Sequence, residues 1–319
     1  MKTYIGIDIG GTKCAVLLGD AFGVVLKETR FPTEDVSSTV ARILDECEAM
    51  KEAAAGTAVS VGISCGSPLD PVRGIIESPP NLPGWDHIEI VKMVEERTGL
   101  PAVLCNDANA CALAEWKFGA GRGCRNMVFL TFGTGMGAGL ILDGKLYNGA
   151  NGNAGEVGHI RLERFGPVGY GKQGSFEGFA SGGGIAMNAR TVAVGELQMG
   201  RCTGYCRSWD ELDSITAKSV AEAARAGDPT AIRVYRQTGE MLGRGLSILV
   251  DLINPERIVI GSIYQRSADL LIEPMERVLA EECLPASLAV CEIVPAELGD
   301  DIGNRAALAL AVSIDGEAE

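Results

Sequence analysis

The chain has 319 residues, with 28 Lys and Arg against 42 Asp and Glu, so its net charge is −14. This length allows one or two full-sized cores, which excludes a miniature fold held by disulfide bonds, and the negative charge disfavours nucleic acid and anionic lipid as partners. No apolar run reaches the roughly 20 residues that a membrane helix needs, and no signal-peptide pattern opens the chain. We therefore predict a cytoplasmic protein whose ten Cys are reduced and mostly buried.

The first part of the chain is predicted to form strands joined by tight turns. Apolar and β-branched runs predict strands at residues 4–8, 14–20, 23–31, 57–64 and 102–107. Apolar residues from Val36 recur at helical spacing, and Thr33 or Asp35 is a candidate cap for that helix. The Pro- and Gly-rich stretch 66–85 cannot form long regular elements, so we expect an ordered loop system near a functional edge.

The second part is predicted to contain more helix. An Ala-rich run predicts a helix at 108–118, directly after the polar pair Asn106 and Asp107. Asp228 and Pro229 are typical of a helix start, and that helix should end before Pro255. The remaining predicted elements are a strand–turn–strand unit at 126–147, strands at 257–262 and 288–298, and a closing helix at 302–312.

Two segments look like copies of one unit. Residues 8–20 (DIGGTKCAVLLGD) and 131–143 (TFGTGMGAGLILD) both follow a strand with a Gly-Thr turn and a second strand, which predicts two similar α/β halves. Glycine lets backbone N–H groups approach a phosphate closely, so two matched turns predict a nucleotide site where one alone would indicate only a hairpin. Two rival motifs fail in context, because GTGMGAG precedes a strand and GPVGYGKQ lacks the final Ser or Thr of a Walker A loop.

Polar side chains near strand ends and glycines are the candidates for chemistry. Asp107 follows a predicted strand and serves either as a general base or as the N-cap of the next helix. Glu156 and His159 lie three residues apart in GEVGH and can reach one small ligand, although a single His is more often structural. Glu177, in FEGFASG, is ambiguous by itself.

In chain order, the motifs DIGGTK, NLPGW, NDANACALAE, GEVGH, FEGFASG and INPERIVIG resemble those of the ROK family (repressors, open reading frames and kinases) over nearly the whole chain. The resemblance implies an α/β, two-lobed, actin-like ATPase and sugar kinase fold with duplicated, ribonuclease H-like halves. The expected lobes are residues 1–106, joined by a C-terminal helix at 303–319, and residues 107–302. The implied activity is glucokinase-like, in which ATP phosphorylates a hexose, with the 6-hydroxyl as the expected acceptor.

The resemblance also implies roles for individual residues. Asp107 is the implied base that takes the proton of the attacking hydroxyl, and Asp8 is implied to help position Mg²⁺ through water. The other implied sugar contacts are Gly66, Asn81, Asn106, Glu156, His159 and Glu177. The implied ATP contacts are Gly10, Gly11, Thr12, Lys13, Gly133, Thr134, Gly135 and Gly261. The family has a second Gly after the last of these, where this chain has Ser262.

The chain departs from the family at the zinc site. Family members carry CxCGxxGCxE after the GEVGH-type His, and three thiolates and the His hold a structural Zn²⁺. Here Val168, Tyr170 and Ser175 stand at the three Cys positions, so we predict that no zinc binds there. We expect apolar packing around Val168, Tyr170 and Phe176 to replace the metal.

Other functions stay open on sequence grounds. ROK repressors carry an N-terminal helix-turn-helix, for which no room precedes the first predicted strand, so nucleic acid is not an expected partner. A catalytically idle sugar sensor is the main alternative to a kinase, and a different phosphotransfer on the same fold is a third. No motif identifies the sugar, so glucose is the default expectation, and a homodimer is expected because it is the commonest oligomer.

Overall fold

A computed structural model describes residues 1–316. The strands are β1 (Thr3–Ile9), β2 (Lys13–Asp20), β3 (Val25–Pro32), β4 (Ala58–Cys65), β5 (Leu69–Asp70), β6 (Ile75–Ile76), β7 (Ala102–Asn106), β8 (Met127–Phe132), β9 (Met136–Leu142), β10 (Lys145–Leu146), β11 (Val168–Gly169), β12 (Lys172–Gln173), β13 (Arg257–Ile260) and β14 (Glu292–Pro295). The helices are α1 (Val36–Ala53), α2 (Ile90–Thr98), α3 (Asp107–Phe118), α4 (Phe176–Phe179), α5 (Gly182–Gln198), α6 (Ala217–Arg225), α7 (Pro229–Ile253), α8 (Ile263–Glu282), α9 (Pro285–Leu288) and α10 (Ile302–Gly316).

The chain divides into two compact units. The first contains Met1–Arg125, Gly139–Ala154 and the residues from Glu297 onward, and the second contains Asn126–Ala138 and Gly155–Ala296. This division differs from the expected one at residue 106, because α3 packs against α10 and groups with the first unit. The C-terminal helix begins at Ile302, and residues 317–319 of the expected helix 303–319 lie outside the described residues.

The first unit is built on a five-stranded sheet in the order β3-β2-β1-β4-β7. Strands β1, β2 and β3 pair antiparallel, with Ile7 opposite Val16, which confirms the predicted meander. Strand β4 is parallel to both β1 and β7. Because β1 is buried along nearly its whole length, both of its faces must be covered.

Helices cover both faces of this sheet. On one face, β1 residues such as Ile5 and Ile7 share a core with Ile43 and Met50 of α1. On the other face, Tyr4, Ala15 and Leu17 pack with residues of α10. A Cβ at Gly62 of β4 would collide with the backbone oxygen of Ala307, so this glycine permits the close approach of α10 to the sheet.

The second unit carries β8, β13, β14 and helices α4 to α9. These strands belong to a sheet in the order β10-β9-β8-β13-β14, in which β13 is parallel to β8 and to β14. Strand β9 begins in this unit, and the chain passes to the first unit after Ala138. Helix α7 begins as predicted, with Asp228 as N-cap accepting from the Ala231 N–H at 2.8 Å and Pro229 as the first residue.

Most predicted elements are present, and one is wrong in part. The predicted strand 288–298 is only β14, Glu292–Pro295, because Pro285 begins the short helix α9 instead. Of the two candidate caps for α1, Asp35 holds the Ser38 N–H at 3.0 Å, whereas Thr33 bonds elsewhere. Within residues 1–316, no helix has both the length and the apolar composition needed to cross a membrane.

Glu115 of α3 is a fully buried carboxylate that is held by backbone N–H groups. Its oxygens accept from Ala120 at 2.8 Å, from Glu297 at 3.1 Å and from Leu298 at 2.9 Å, all within the first unit. The side chain therefore ties the end of α3 to the segment that precedes α10.

We predict that Glu115→Ala lowers the free energy of unfolding by about 2–4 kcal/mol, because it leaves several partly or fully buried N–H groups without an acceptor. Denaturant unfolding measures this change. Glu297→Ala is the matched control, since that exposed side chain pairs with Arg122 at the surface and its loss should cost at most about 1 kcal/mol. Equal effects of the two substitutions would contradict this account.

Candidate active site

The first Gly turn joins β1 to β2 in the first unit. The Gly10 N–H donates to the Lys13 oxygen at 3.1 Å, and Thr33 braces the turn by donating from Oγ1 to the Gly10 oxygen at 2.6 Å and from its N–H to the Thr12 oxygen at 3.1 Å. In the part of the chain that the structure describes, the N–H groups of Gly11 and Thr12 have no protein acceptor. These two adjacent donors can therefore bind a phosphate oxygen.

The second Gly turn joins β8 to β9 and belongs to the second unit. The Gly133 N–H donates to the Gly135 oxygen at 3.1 Å, and the Gly137 N–H donates to Thr131 Oγ1 at 2.9 Å. Among the described residues, the N–H groups of Thr134 and Gly135 again have no protein acceptor. Each turn thus presents two successive N–H groups, a similarity that the sequence repeat predicted.

Asp107 is the first residue of α3, but it is not the N-cap. Asn106 has that role, because its Oδ1 accepts the Asn109 N–H at 2.8 Å. Asp107 is the only exposed residue of α3, and its Oδ1 accepts the Ala108 N–H at 2.8 Å. Desolvation by the surrounding protein raises the pKa of the Asp107 carboxyl, and the bond from Ala108 partly offsets this rise.

Asp8 lies at the end of β1, in the same unit as Asp107. Burial raises its pKa from 3.8 to about 6, the Asp107 charge adds to the rise, and the Lys13 and Arg30 cations oppose it. A small cavity of about 70 Å³ is lined by Asp8, Lys13, Arg30 and Asn304, among others. The Asp8 carboxylate can hold a hydrated divalent ion, and the cationic side chains beside it can pair with phosphate oxygens.

The predicted wall contacts Gly66 and Asn81 lie together in the first unit. The Asn81 Oδ1 lies 3.4 Å from the position of a Cβ at Gly66, so the amide packs against this glycine. A Cβ at Gly11 would collide with the Asn81 backbone oxygen, which explains why the turn needs glycine there. The first Gly turn and the Pro-rich loop are therefore in contact.

The GEVGH segment contacts the second Gly turn in the second unit. Glu156 precedes a 3₁₀ turn, Val157–His159, and the His159 N–H donates to the Glu156 oxygen at 3.2 Å. A Cβ at Gly158 would collide with the Met136 backbone oxygen and would lie 3.2 Å from Glu177 Cβ. The structure therefore brings the GEVGH segment, Glu177 and the second turn together.

Gly261 follows β13 and lies in the second unit. Its N–H donates to the Leu130 oxygen at 3.0 Å, which places it beside β8. The next residue, Ser262, has φ +57°, a left-handed conformation that favours glycine. This explains why a second Gly suits that position. It also indicates that Ser262 adopts this backbone conformation at a cost in conformational free energy.

The segment that contains the three family Cys positions is held in place by hydrogen bonds and by one buried aromatic residue. Ser175 caps α4 by accepting the Gly178 N–H at 3.1 Å, and Lys172 Nζ donates to the His159 backbone oxygen at 2.6 Å. The expectation of apolar packing is wrong for Val168 and Tyr170, which are 43% and 82% exposed. It holds for Phe176, which is fully buried.

The His159 ring contacts Tyr170 edge-on, with 6.3 Å between ring centroids. Among the described residues, no group of three or more His, Cys, Asp or Glu could hold a metal ion.

No disulfide joins the ten cysteines, all of which lie in the described part of the chain, and eight of them are buried.

Sequence reasoning missed two threonines that shape the turns. Thr33 braces the first turn and Thr131 braces the second, each through a side-chain oxygen. Thr131 lies close in sequence to the turn that it braces, but the partner of Thr33 is 23 residues away, so no local signal indicated the role of Thr33.

We predict that the stability of the protein without ligands depends on pH through Asp8. Because its folded-state pKa, about 6, lies above the ordinary 3.8, the folded protein holds this proton more tightly than the unfolded chain does. The resulting stabilisation is full below the ordinary pKa and is lost as the pH rises through the folded-state pKa. Asp8→Asn should therefore raise the free energy of unfolding, relative to the unsubstituted protein, more at about pH 7.5 than at about pH 4.5.

Denaturant unfolding at both pH values checks this prediction. Asp143→Asn is the control, because this carboxylate is exposed in a surface turn, and its effect should be the same at both pH values. An equal effect of Asp8→Asn at both pH values would contradict the proposed origin of the pKa rise.

We predict that the protein contains no zinc after purification, since the three family Cys positions hold Val168, Tyr170 and Ser175. Elemental analysis and thermal unfolding with and without a chelator test this. We expect no stoichiometric zinc and an unchanged melting temperature. Stoichiometric zinc that disappears in His159→Ala would refute the prediction.

Comparison with known proteins assigns the family. The profile of the ROK family matches residues 4–314. A glucokinase of Streptomyces coelicolor is 34% identical to this chain over 98% of both chains.

Solved structures show the same fold. The ROK hexokinase of Thermus thermophilus is 28% identical, with a TM-score of 0.82 over 99% of this chain and 100% of its own. A ROK glucokinase of Streptomyces griseus, solved with glucose and AMPPNP, is 33% identical, with a TM-score of 0.73 over 98% of this chain and 99% of its own. The predicted actin-like sugar kinase fold is confirmed, and the chain belongs to the ROK family.

Proposed function

We propose that the chain transfers the γ-phosphoryl group of ATP to the 6-hydroxyl of a hexose, with Asp107 as general base and glucose as the first substrate to test. The ATP-dependent phosphorylation of a hexose is supported by the similarity to glucokinases over nearly the full chain. The observation that carries the assignment of the base is the position of Asp107. It is the only exposed residue of a helix whose other residues are buried or half-buried, and its neighbour Asn106 supplies the cap.

The two Gly turns would bind the nucleotide phosphates. Each presents two adjacent N–H groups with no acceptor among the described residues, and a phosphate oxygen would satisfy them. Asp8, with Lys13 beside it, would hold a hydrated Mg²⁺ near the phosphates. Such an ion, when bound, neutralises charge that develops during phosphoryl transfer.

The proposed sugar contacts combine donors and acceptors, as neighbouring hydroxyls require. Because Asn106 uses its Oδ1 for the helix cap, its amide nitrogen would donate to a sugar oxygen. Asn81, Glu156, His159 and Glu177 would hold the other hydroxyls.

Asp107 would accept the proton of the attacking hydroxyl. The Ala108 N–H fixes one of its oxygens, which leaves the other to face the sugar. Because burial raises the pKa of the Asp107 carboxyl, its carboxylate is a stronger base than that of an ordinary aspartate. Phosphoryl transfer needs little further covalent chemistry from the protein, so positioning of donor and acceptor supplies most of the catalysis.

We predict that Asp107→Asn lowers kcat by about 10³-fold, in the range that general base catalysis contributes. Glucose binding, measured by calorimetry, should weaken by less than about tenfold, because one of several hydrogen bonds changes. The assay is ADP release with Mg·ATP and a panel of hexoses. Asp45→Asn is the control, since this exposed carboxylate on α1 pairs with Arg97 at the surface, and its turnover should be unchanged.

Unchanged turnover in Asp107→Asn would refute the assigned base. If the unsubstituted protein binds a hexose but releases no ADP with any member of the panel, the idle sensor replaces the kinase as the function. The homodimer stays a prediction, which light scattering can test.

A further inference from the structure

Glu177 makes a hydrogen bond to the protein backbone that its proposed role as a sugar contact does not explain. Its Oε2 accepts the backbone N–H of Met136 at 2.9 Å, and Met136 ends the second Gly turn at the start of β9. Both residues belong to the second unit. The side chain proposed to hold a sugar hydroxyl is therefore bonded to the turn proposed to hold a phosphate.

The Glu177 carboxylate has room to reach the turn only because two of the residues next to its side chain are glycines. A Cβ on Gly135 would lie 2.7 Å from Glu177 Oε2, and a Cβ on Gly158 would lie 3.2 Å from Glu177 Cβ. Either distance is shorter than an ordinary van der Waals contact. Glycines on two different segments thus form the slot in which the carboxylate reaches the turn.

Glu177 is also held firmly from its own side. It is the second residue of α4, which Ser175 caps, and its neighbour Phe176 is fully buried. The ring of Phe176 lies directly against Gly245 of α7. A short helix fixed at its cap and by a buried aromatic residue can carry its carboxylate with little freedom.

The contact fixes the N–H next to the two donors that would bind phosphate. Thr134 and Gly135 present those donors, and Met136 follows them directly. From the other side, the N–H groups of Gly182 and Gly183 hold the backbone oxygens of Gly133 and Thr134, at 2.8 and 3.1 Å. Among the described residues, Glu177 supplies the only carboxylate that bonds to this turn.

We infer that Glu177 is a positioning residue for the second Gly turn as well as a sugar contact, so that sugar binding and nucleotide binding are coupled through its carboxylate. The inference rests on the proposed function. One oxygen holds the Met136 N–H, and the other is available to a sugar hydroxyl. A sugar that orders Glu177 also orders the turn, and by linkage the nucleotide must raise the affinity for the sugar by the same factor.

The test measures binding of AMPPNP with Mg²⁺ by calorimetry, first without sugar and then with saturating glucose. In the unsubstituted protein, glucose should tighten AMPPNP binding about threefold or more. Glu177→Ala should weaken AMPPNP binding without sugar by about fivefold to tenfold, within the range expected for the loss of one ordinary hydrogen bond, and should abolish the effect of glucose.

Two further variants separate positioning from sugar contact. In Glu177→Gln the amide oxygen can still accept the Met136 N–H, so AMPPNP binding without sugar should stay within about twofold while glucose binding weakens. His159→Gln should weaken glucose binding and leave AMPPNP binding without sugar unchanged, because the contacts of its ring are with Tyr170. If Glu177→Ala fails to fold, Glu177→Asp takes its place, since the shorter side chain cannot reach Met136.

The inference is overturned if Glu177→Ala, or Glu177→Asp in its place, binds AMPPNP without sugar as tightly as the unsubstituted protein does. It is also overturned if glucose leaves the AMPPNP affinity of the unsubstituted protein unchanged. Failure of the proposed function would be recognised by a different result, because the unsubstituted protein would then release no ADP with any hexose.

Discussion

The site depends on how the backbone N–H groups are paired at two strand-to-strand turns. Adjacent backbone N–H groups that a braced turn leaves without a protein acceptor can donate to the oxygens of a phosphate. In both turns the neighbouring groups are held, by Thr33 in the first and by Thr131 and Glu177 in the second. Among residues 1–316, two adjacent donors in each turn then have no protein acceptor.

Helix α3 shows how one element combines chemistry with stability. At its start, Asn106 caps the helix, and the carboxylate of Asp107, which we propose as the base, is exposed. At its other end, Glu115 accepts three backbone N–H groups and fixes the segment before α10. Between them the helix is Ala-rich and buried, so its position does not depend on flexible side chains.

Much of the fold could be predicted from the sequence because its signals are local. The meander, the helix after Asp35 and the helix after Asp228 follow from periodicity and capping. The strand predicted at 288–298 was wrong in part, because the short helix that begins at Pro285 includes Leu288 and the strand itself is only Glu292–Pro295. The expected packing of Val168 and Tyr170 failed because exposure depends on contacts that lie far away in sequence.

Several site residues were already candidates from the sequence alone and the resemblance implied their roles, but several of their partners needed the structure. That Asn106, and not Asp107, caps α3 depends on backbone angles that no residue type reports. The contact of Glu177 with Met136 joins residues 41 apart in sequence, and no spacing rule indicates it. Local composition therefore identified the chemical groups, and the tertiary structure showed which of them already have protein partners.

The central claim is that this chain moves the γ-phosphoryl group of ATP to a hexose hydroxyl with the help of Asp107. The most direct measurement is ³¹P NMR of the protein with Mg·ATP and glucose. The account predicts that the γ-phosphate signal is replaced by a phosphomonoester coupled to the C6 protons, and that this conversion is about 10³-fold slower with Asp107→Asn. Release of inorganic phosphate alone, or the same phosphomonoester at the same rate from Asp107→Asn, would contradict it.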